Sequence, residues 1–425
     1  MSDSRQKSLP LRYKVAGLLF AGSAVNFIDR VNISVAAPAM MLHTGLRKDQ
    51  FGLVFSAFLL GYALMQIPSG MLADRGGARK MIALAFCGFS LFTALTPAGA
   101  HSLLWLLLVR FAVGLCESPT FPSITALNTR WFPPGEFGRA QTFSLSGGSV
   151  GQMIAYPLTA WIVLQASWQS AFYVNAAMGF VWAFIWLRYS TDRPATDQPA
   201  TRDLPAPLHL GTLLRSAPVL LLAMSAVLFA FVLWTFLFWF PTYLVQGRGF
   251  SLGQVGVLGF VIQGCGFAGT VISGAVSDWL LRRTGRPRLA RTCFAGCCVG
   301  TSVILLLSAV AVASNQASVV LFALFYFCLL GTHVAFLTGP AVLHPRQAAS
   351  IYGIVNTGAS LGAVCGPAVV GFLVAESPDW QRSFTLVGSV GLLAALLLFM
   401  VPLRMLDIGP HPTRRLSNAS DGNAA

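Results

Sequence analysis

The chain reads as an all-α membrane protein of twelve transmembrane helices in two six-helix bundles. Three observations predict this. Of its 425 residues 55% are hydrophobic and only 10% charged, against about a quarter charged in ordinary soluble domains, so most of the chain has lipid rather than water as its solvent. Apolar stretches of about 20 residues recur along its length, which is what a helix needs to cross a bilayer. The pattern of those stretches and of several short motifs repeats once, halfway along.

The stretches lie near 14–38, 50–72, 80–98, 101–126, 137–162, 170–189, 217–245, 251–276, 289–313, 316–339, 349–375 and 382–405. They are continuous rather than alternating, so they are helices and not the strands of a barrel, the only other structure that satisfies its backbone in hydrocarbon. The first is too long for a signal-peptide core and no small-residue cleavage pattern follows it, so it is expected to be retained. The net charge of +14 would point to nucleic acid in a soluble protein; here its placement matters more. Arg47, Lys48, Arg248 and Arg382 fall on one side, Arg30 and Arg110 fall within spans, and the remaining 22 of the 28 Lys and Arg residues fall on the other side. The positive-inside rule makes that side, with both termini, cytoplasmic. Compact loops without a glycosylation acceptor on the outer side point to a bacterial inner membrane, and the chain is taken to act as a monomer, without a nucleic-acid partner. All eight cysteines lie within or at the ends of spans, so no disulfide framework is expected. Cys293, Cys297 and Cys298 share a helical turn but lack His or acidic neighbours, and neither a metal nor a cofactor is expected.

The longest polar connection, 190–216, carries Pro194, Pro199, Pro205 and Pro207 and divides the spans six and six. The predicted organisation is a cytoplasmic tail over 1–13, a bundle over 14–189, this linker, a second bundle over 217–405, and a tail over 406–425. Three matches cross the divide. Gly70-Met-Leu-Ala-Asp74-Arg75 answers Gly274-Ala-Val-Ser-Asp278-Trp279, 204 residues on; Gly147 and Gly151 answer Gly358 and Gly362, 211 on; Trp168-Gln-Ser-Ala-Phe172 answers Trp380-Gln-Arg-Ser-Phe384, 212 on. Two parallel repeats related about the membrane normal can rock against each other and expose a site between them to each side in turn.

Among 14 acidic residues only Asp29 and Glu117 fall well inside spans, and among the basic ones only Arg30 and Arg110. Placing each such group in the bilayer costs about 2.5–3.5 kcal/mol even on the lenient insertion scale, so four of them in two helices require a reason. Glu117 follows Arg110 by seven residues, about two turns along one face. Asp29 and Arg30 are adjacent and diverge by about 100°, so one is expected to face a central cavity and the other a neighbouring helix. The bland reading is a pair of structural ion pairs joining the first and fourth helices. The functional reading is that carboxyls which gain and lose a proton as a low-dielectric cavity opens and closes serve as proton carriers, while a guanidinium fork holds a carboxylate. Importing a monovalent anion against about 100 mV costs about 2.3 kcal/mol, which one co-transported proton cancels.

Tyr62 and Gln66 in the second span and Asn356 in the eleventh stand at cavity depth, as groups that hydrogen-bond either substrate hydroxyls or neighbouring helices. The aromatic run Trp234, Phe236, Phe238, Trp239, Phe240, Pro241, Tyr243 fits the outer mouth or an interfacial belt equally well. Gly358, Gly362, Gly366 and Gly371 are close-packing positions, and His333 is structural.

At this point the sequence resembles the major facilitator superfamily, and within it the anion:cation symporters, over about residues 14–405. Gly70-Met-Leu-Ala-Asp74-Arg75-Gly-Gly77-Ala-Arg79-Lys80 looks like the superfamily's signature loop between the second and third helices, which implies a cytoplasmic gate built on Asp74 and arginines. The matching loop of the second half is degraded, with Trp279 where a basic residue would stand. Asn26-Phe-Ile-Asp29-Arg30-Val-Asn32 and Arg110-Phe-Ala-Val-Gly114-Leu-Cys-Glu117-Ser-Pro119 look like the symporters' first and fourth helices, and Trp239-Phe-Pro241-Thr-Tyr243 like their seventh. The resemblance implies that Arg30 binds the substrate carboxylate, that Asp29 and Glu117 couple protons, and that Tyr62 and Asn356 line the site.

The expected function is therefore proton symport of a small organic anion, such as a sugar acid, into the cell by alternating access, with Arg30, Arg110, Tyr62, Gln66 and Asn356 binding substrate. The rival transporter reading is an exporter or antiporter of a drug or metabolite; against it, the fifth span carries Gly147, Gly148 and Gly151 but no Gly-Pro pair. A membrane enzyme is disfavoured because no nucleophile-base set is visible.

Overall fold

The structure, a computed structural model, describes residues 11–73, 77–190, 210–344, 347–376 and 380–403. These residues are helical apart from short connections, and no strand occurs among them. In chain order the helices are α1 (Leu11–Thr44), α2 (Lys48–Leu72), α3 (Ala78–Leu95), α4 (Leu103–Glu117), α5 (Thr120–Trp131), α6 (Pro134–Gln165), α7 (Trp168–Tyr189), α8 (Leu210–Leu213), α9 (Ala217–Gln246), α10 (Leu252–Thr284), α11 (Phe294–Ala311), α12 (Asn315–Gly331), α13 (His333–Leu343), α14 (Ala348–Glu376) and α15 (Trp380–Met400). Among the described residues, nine helical stretches are long and apolar enough to cross a membrane.

The apolar stretches read from the sequence coincide with helices, with differences that have local causes. α1 starts at Leu11, inside the tail expected over 1–13, and runs on to Thr44. The stretch at 101–126 is two helices, because Pro119 has no N–H to continue the ladder and α4 stops at Glu117. The stretch at 316–339 is likewise divided at Thr332. The expected linker over 190–216 contains the short α8; its residues 191–209, and residues 404–425 at the C-terminus, lie outside the described residues. Polar side chains start several helices. Ser102, Ser167 and Ser314 accept from the backbone of α4, α7 and α12, and Ser251 and Gln254 close a capping box at α10, which ends on Gly285 at φ 63°.

Without water to drive apolar faces together, helices in lipid hold by close packing, and glycines permit it. A Cβ at Gly147 or Gly151 of α6 would strike the Phe20 or Ala24 carbonyl of α1. At Gly362 of α14 it would strike the Val227 carbonyl of α9. The two glycine pairs matched in the sequence thus serve equivalent crossings. Gly362→Val is expected to destabilise the fold by about 1–3 kcal/mol through overpacking that only backbone separation relieves. A thermal-unfolding midpoint equal to that of the wild type would refute the tight crossing.

Two further seams close the assembly at one end. A Cβ on Gly52 of α2 would lie 2.7 Å from the Pro367 carbonyl of α14, and one on Gly371 would lie 2.9 Å from the Lys48 carbonyl. Trp239 of α9 joins the same seam, its Nε1 donating to the Pro367 carbonyl at 2.9 Å. Gly259 of α10 packs on the Tyr156 ring of α6. Farther along α14 the fit relaxes: a Cβ on Gly353 would meet nothing within 4 Å, and Tyr352 is exposed.

Most of the aromatic run of α9 is buried between helices rather than set in a lipid-facing belt. Phe236, Phe238, Trp239, Phe240 and Tyr243 are all buried; Phe238 stacks on Phe55, and Phe236, Phe240 and Tyr243 meet Phe325, Phe322 and Phe384 of neighbouring helices edge-on.

Candidate functional site

The four charged groups singled out in the sequence come together. α1 and α4 bring Arg30 and Glu117 into an ion pair, with Glu117 Oε1 accepting from Arg30 Nε at 3.0 Å and lying 2.8 Å from Nη2. Both side chains are buried, at 3% and 0% exposure, so the pair is not a surface contact of negligible worth. One turn back along α1, Asn26 neighbours Glu117.

Arg30 is also boxed by rings. Its guanidinium carbon lies 4.6 Å from the Tyr62 centroid, 4.7 Å from Phe27, 5.3 Å from Phe58 and 5.5 Å from Trp234, drawing on α1, α2 and α9. Ring faces attract a cation most when water is excluded, and Arg keeps its charge in any such setting. The fork is therefore held in one plane by contacts that do not use up its N–H donors.

Asp29 points elsewhere, as adjacent residues on a helix must. Thr93 of α3 donates to its Oδ2 at 3.0 Å, and Oδ1 has no hydrogen-bond partner among the described residues. Its strongest charge interaction is with Arg110, followed by Glu117 and Arg30. Arg110 is fully buried, with its guanidinium carbon 4.8 Å from the Phe58 centroid, and none of its three guanidinium nitrogens has a hydrogen-bond partner among the described residues. Leaving five N–H donors unmatched is costly in a packed interior unless a ligand or water completes the set at some stage.

The uncharged candidates sit at the edge of this cluster. Asn356 Nδ2 of α14 donates to Gln66 Oε1 of α2 at 3.1 Å, so the two are joined to each other. Tyr62 stands beside both Arg30 and Gln66. All three are only partly buried, unlike the charged four.

The signature loop is described only at its flanks, since Asp74 and Arg75 lie outside the described residues. Gly70 lies in the last turn of α2, where an added Cβ would lie 4.0 Å from Pro122 of α5. Beyond Gly77, Arg79 donates to Ser190 Oγ at 3.2 Å and to the Leu187 carbonyl at the end of α7, while Arg130 of α5 donates to the Ala73 carbonyl at 2.9 Å. In the second half Asp278 pairs with Arg291 at 2.7 Å, and Trp279 is exposed beneath Arg283. Among the described residues no group of three or more His, Cys, Asp or Glu is placed to hold a metal.

Sequence reasoning missed Thr93, Asn26 and the aromatic box. A lone Thr in an apolar helix has the signature of any interhelical hydroxyl. Phe58 and Tyr62 offered more, because their four-residue spacing puts two rings on one face of α2.

Buried, unsatisfied charges among helices long and apolar enough to cross a membrane are what a carrier's substrate site requires. The sequence matches the Major Facilitator Superfamily over residues 19–350, and the chain belongs to that family. It is 30% identical to the hexuronate transporter of Bacillus subtilis strain 168 over 393 residues, covering 89% of this chain and 92% of the relative. It is 29% identical to the D-galactonate transporter of Escherichia coli O6:H1, covering 91% and 94%. In fold it is similar, at a TM-score of 0.81 and 20% identity, to a bacterial homologue of the human lysosomal transporter Spinster in an inward-facing, unoccupied conformation, covering 93% of this chain and 97% of that one.

Proposed function

We propose that this protein imports a small organic anion, a sugar acid or related hydroxy-carboxylate, together with protons, by alternating access. The observation that carries the reading is the buried cluster itself: a carboxylate, Glu117, occupies the Arg30 fork, and a second guanidinium, Arg110, has no hydrogen-bond partner among the described residues and interacts electrostatically with Asp29. A substrate carboxylate competes with Glu117 for Arg30. Protonating Glu117 removes the competitor's charge, so proton and anion bind together and leave together. Tyr62, Gln66 and Asn356 supply hydroxyl and amide groups for substrate hydroxyls, with the Gln66–Asn356 bond exchanged for bonds to substrate. The names of the relatives, transporters of hexuronate and D-galactonate, support a polyhydroxylated acid.

The architecture we assign to this task has twelve spans, with α4–α5 and α12–α13 each forming one broken span, in bundles over 14–189 and 217–405. Both termini face the cytoplasm of a cell bounded by an inner membrane, and the signature loop around Asp74, Arg75 and Arg79 acts as the inner gate. The sealed α2–α14 and α6–α10 seams are then the closed outer side, and the looser end near Tyr352 and Gly353 opens inward.

Purified protein in proteoliposomes loaded with a pH-sensitive dye tests the proposal. With an imposed proton gradient, adding hexuronate, D-galactonate or D-glucarate is expected to acidify the lumen in step with acid uptake. Uptake without proton entry would leave a uniporter or exchanger, and no uptake of any acid in the panel would reject the substrate class.

A further inference from the structure

The closed outer end carries a recess that the central site does not use. It has a volume of about 510 Å³ and is formed where the ends of four helices converge: Pro38 of α1, Lys48 of α2, Gln246 of α9 and Val374 of α14, with Leu46 and Arg47 from the α1–α2 turn. Its position is set by the seam beneath it, where the Lys48 carbonyl packs on Gly371. Along α2, Lys48 precedes Tyr62 by fourteen residues, about 21 Å of helix, so the recess is a different place from the Arg30 site.

Among the described residues the charged groups that line it are Arg47 and Lys48, and no carboxylate does. Arg47 is neutralised by Asp49, which accepts from its Nε at 3.0 Å and its Nη2 at 2.9 Å. Lys48 has no carboxylate partner among the described residues, and its ammonium is steadied 5.4 Å from the Trp380 ring centroid. A half-buried ammonium against apolar walls, with the Gln246 amide beside it, presents one fixed positive charge, a hydrogen-bonding group and room for a ligand of several carbons.

We propose that this recess is an outer vestibule site that captures the organic anion through Lys48 and Gln246 before the α2–α14 seam opens, raising its local concentration above the gate. The inference rests on the outward-closed, inward-opening orientation and the anion transport proposed above. A vestibule of this kind acts on encounter rather than on the transport step, and a cation at its floor works by a field that salt screens.

The test is initial uptake of radiolabelled D-galactonate and hexuronate into proteoliposomes by the wild type, Lys48→Gln and Lys48→Arg, at ionic strengths from about 20 to about 300 mM. Lys48→Gln is expected to raise KM about fivefold at low salt with kcat unchanged, the difference shrinking as salt rises, and Lys48→Arg to recover most of the loss. Thermal unfolding midpoints equal to the wild type's exclude a folding defect, since the Lys48 side chain is only partly buried. Equal KM in Lys48→Gln and wild type at every ionic strength overturns the vestibule alone. A fall in kcat with KM unchanged also overturns it and makes Lys48 part of the gate. A wild type that takes up neither acid brings down both this inference and the function on which it rests.

Discussion

Arg30→Ala is expected to abolish acid binding, lowering affinity at least a hundredfold, and to lower stability as well. The two effects have different origins. A bidentate, charge-assisted contact to a carboxylate in a water-poor site contributes on the order of 3 kcal/mol, which alone gives that factor. The stability loss arises because truncation strands Glu117, buried at 0% exposure with its one guanidinium partner gone, and an unpaired buried charge costs about 3–5 kcal/mol unless it takes up a proton. The double variant Arg30→Ala/Glu117→Gln separates the two: it removes the stranded charge and is expected to restore the unfolding midpoint without restoring binding. Arg30→Lys keeps a charge but offers no fork and stacks less well among Phe27, Tyr62 and Trp234, so an intermediate affinity is expected. Titration calorimetry with D-galactonate, alongside thermal unfolding, reads both quantities. Wild-type affinity in the double variant would leave the Arg30–Glu117 pair a purely structural tie between α1 and α4.

How far the site was legible follows from what each residue type can do in lipid. Asp29, Arg30, Arg110 and Glu117 stood out because a charge within an apolar stretch has a cost that position alone reveals. Their pairing did not stand out. Helical spacing placed Arg110 and Glu117 on one face and drove Asp29 and Arg30 apart, but it left open that Glu117 would choose Arg30 across two helices while Asp29 turned to Thr93. The aromatic run of α9 was left between two readings for a related reason. Trp and Phe have the same composition signature in an interfacial belt, a cavity wall and a core, and only neighbours such as Phe55, Phe322 and Phe384 distinguish them. The fold was more legible. A 20-residue apolar stretch leaves few alternatives to a helix, and the glycines at 147, 151 and 362 do little else in such a helix than admit a neighbour's backbone. What the stretches hid were the breaks, at Pro119, two residues after the Glu117 that ends α4, and at Thr332, where no proline marks the place.

Glu117→Gln is expected to abolish gradient-driven accumulation while leaving exchange intact. Gln is the neutral isostere of the protonated carboxyl. Its amide oxygen still accepts from Arg30 Nε, so the helix contact survives, and the ring box around Arg30 is untouched. The competitor for the fork is now permanently uncharged, so acid binds in every state and counterflow of labelled for unlabelled acid continues. The variant has lost the carboxyl whose charge, on release of a proton, returns to the fork and expels substrate inside. With one coupled proton and no membrane voltage, a gradient of one pH unit drives about tenfold accumulation, equivalent to about 1.4 kcal/mol, in the wild type and none in the variant. Asp29→Asn serves as the partner measurement, because Asp29 accepts from Thr93 and its strongest attractive charge interaction is with Arg110 rather than with Arg30. If Glu117→Gln still accumulates acid tenfold and Asp29→Asn does not, the coupling proton travels on Asp29, and Glu117 serves only to keep the Arg30 fork closed until substrate arrives.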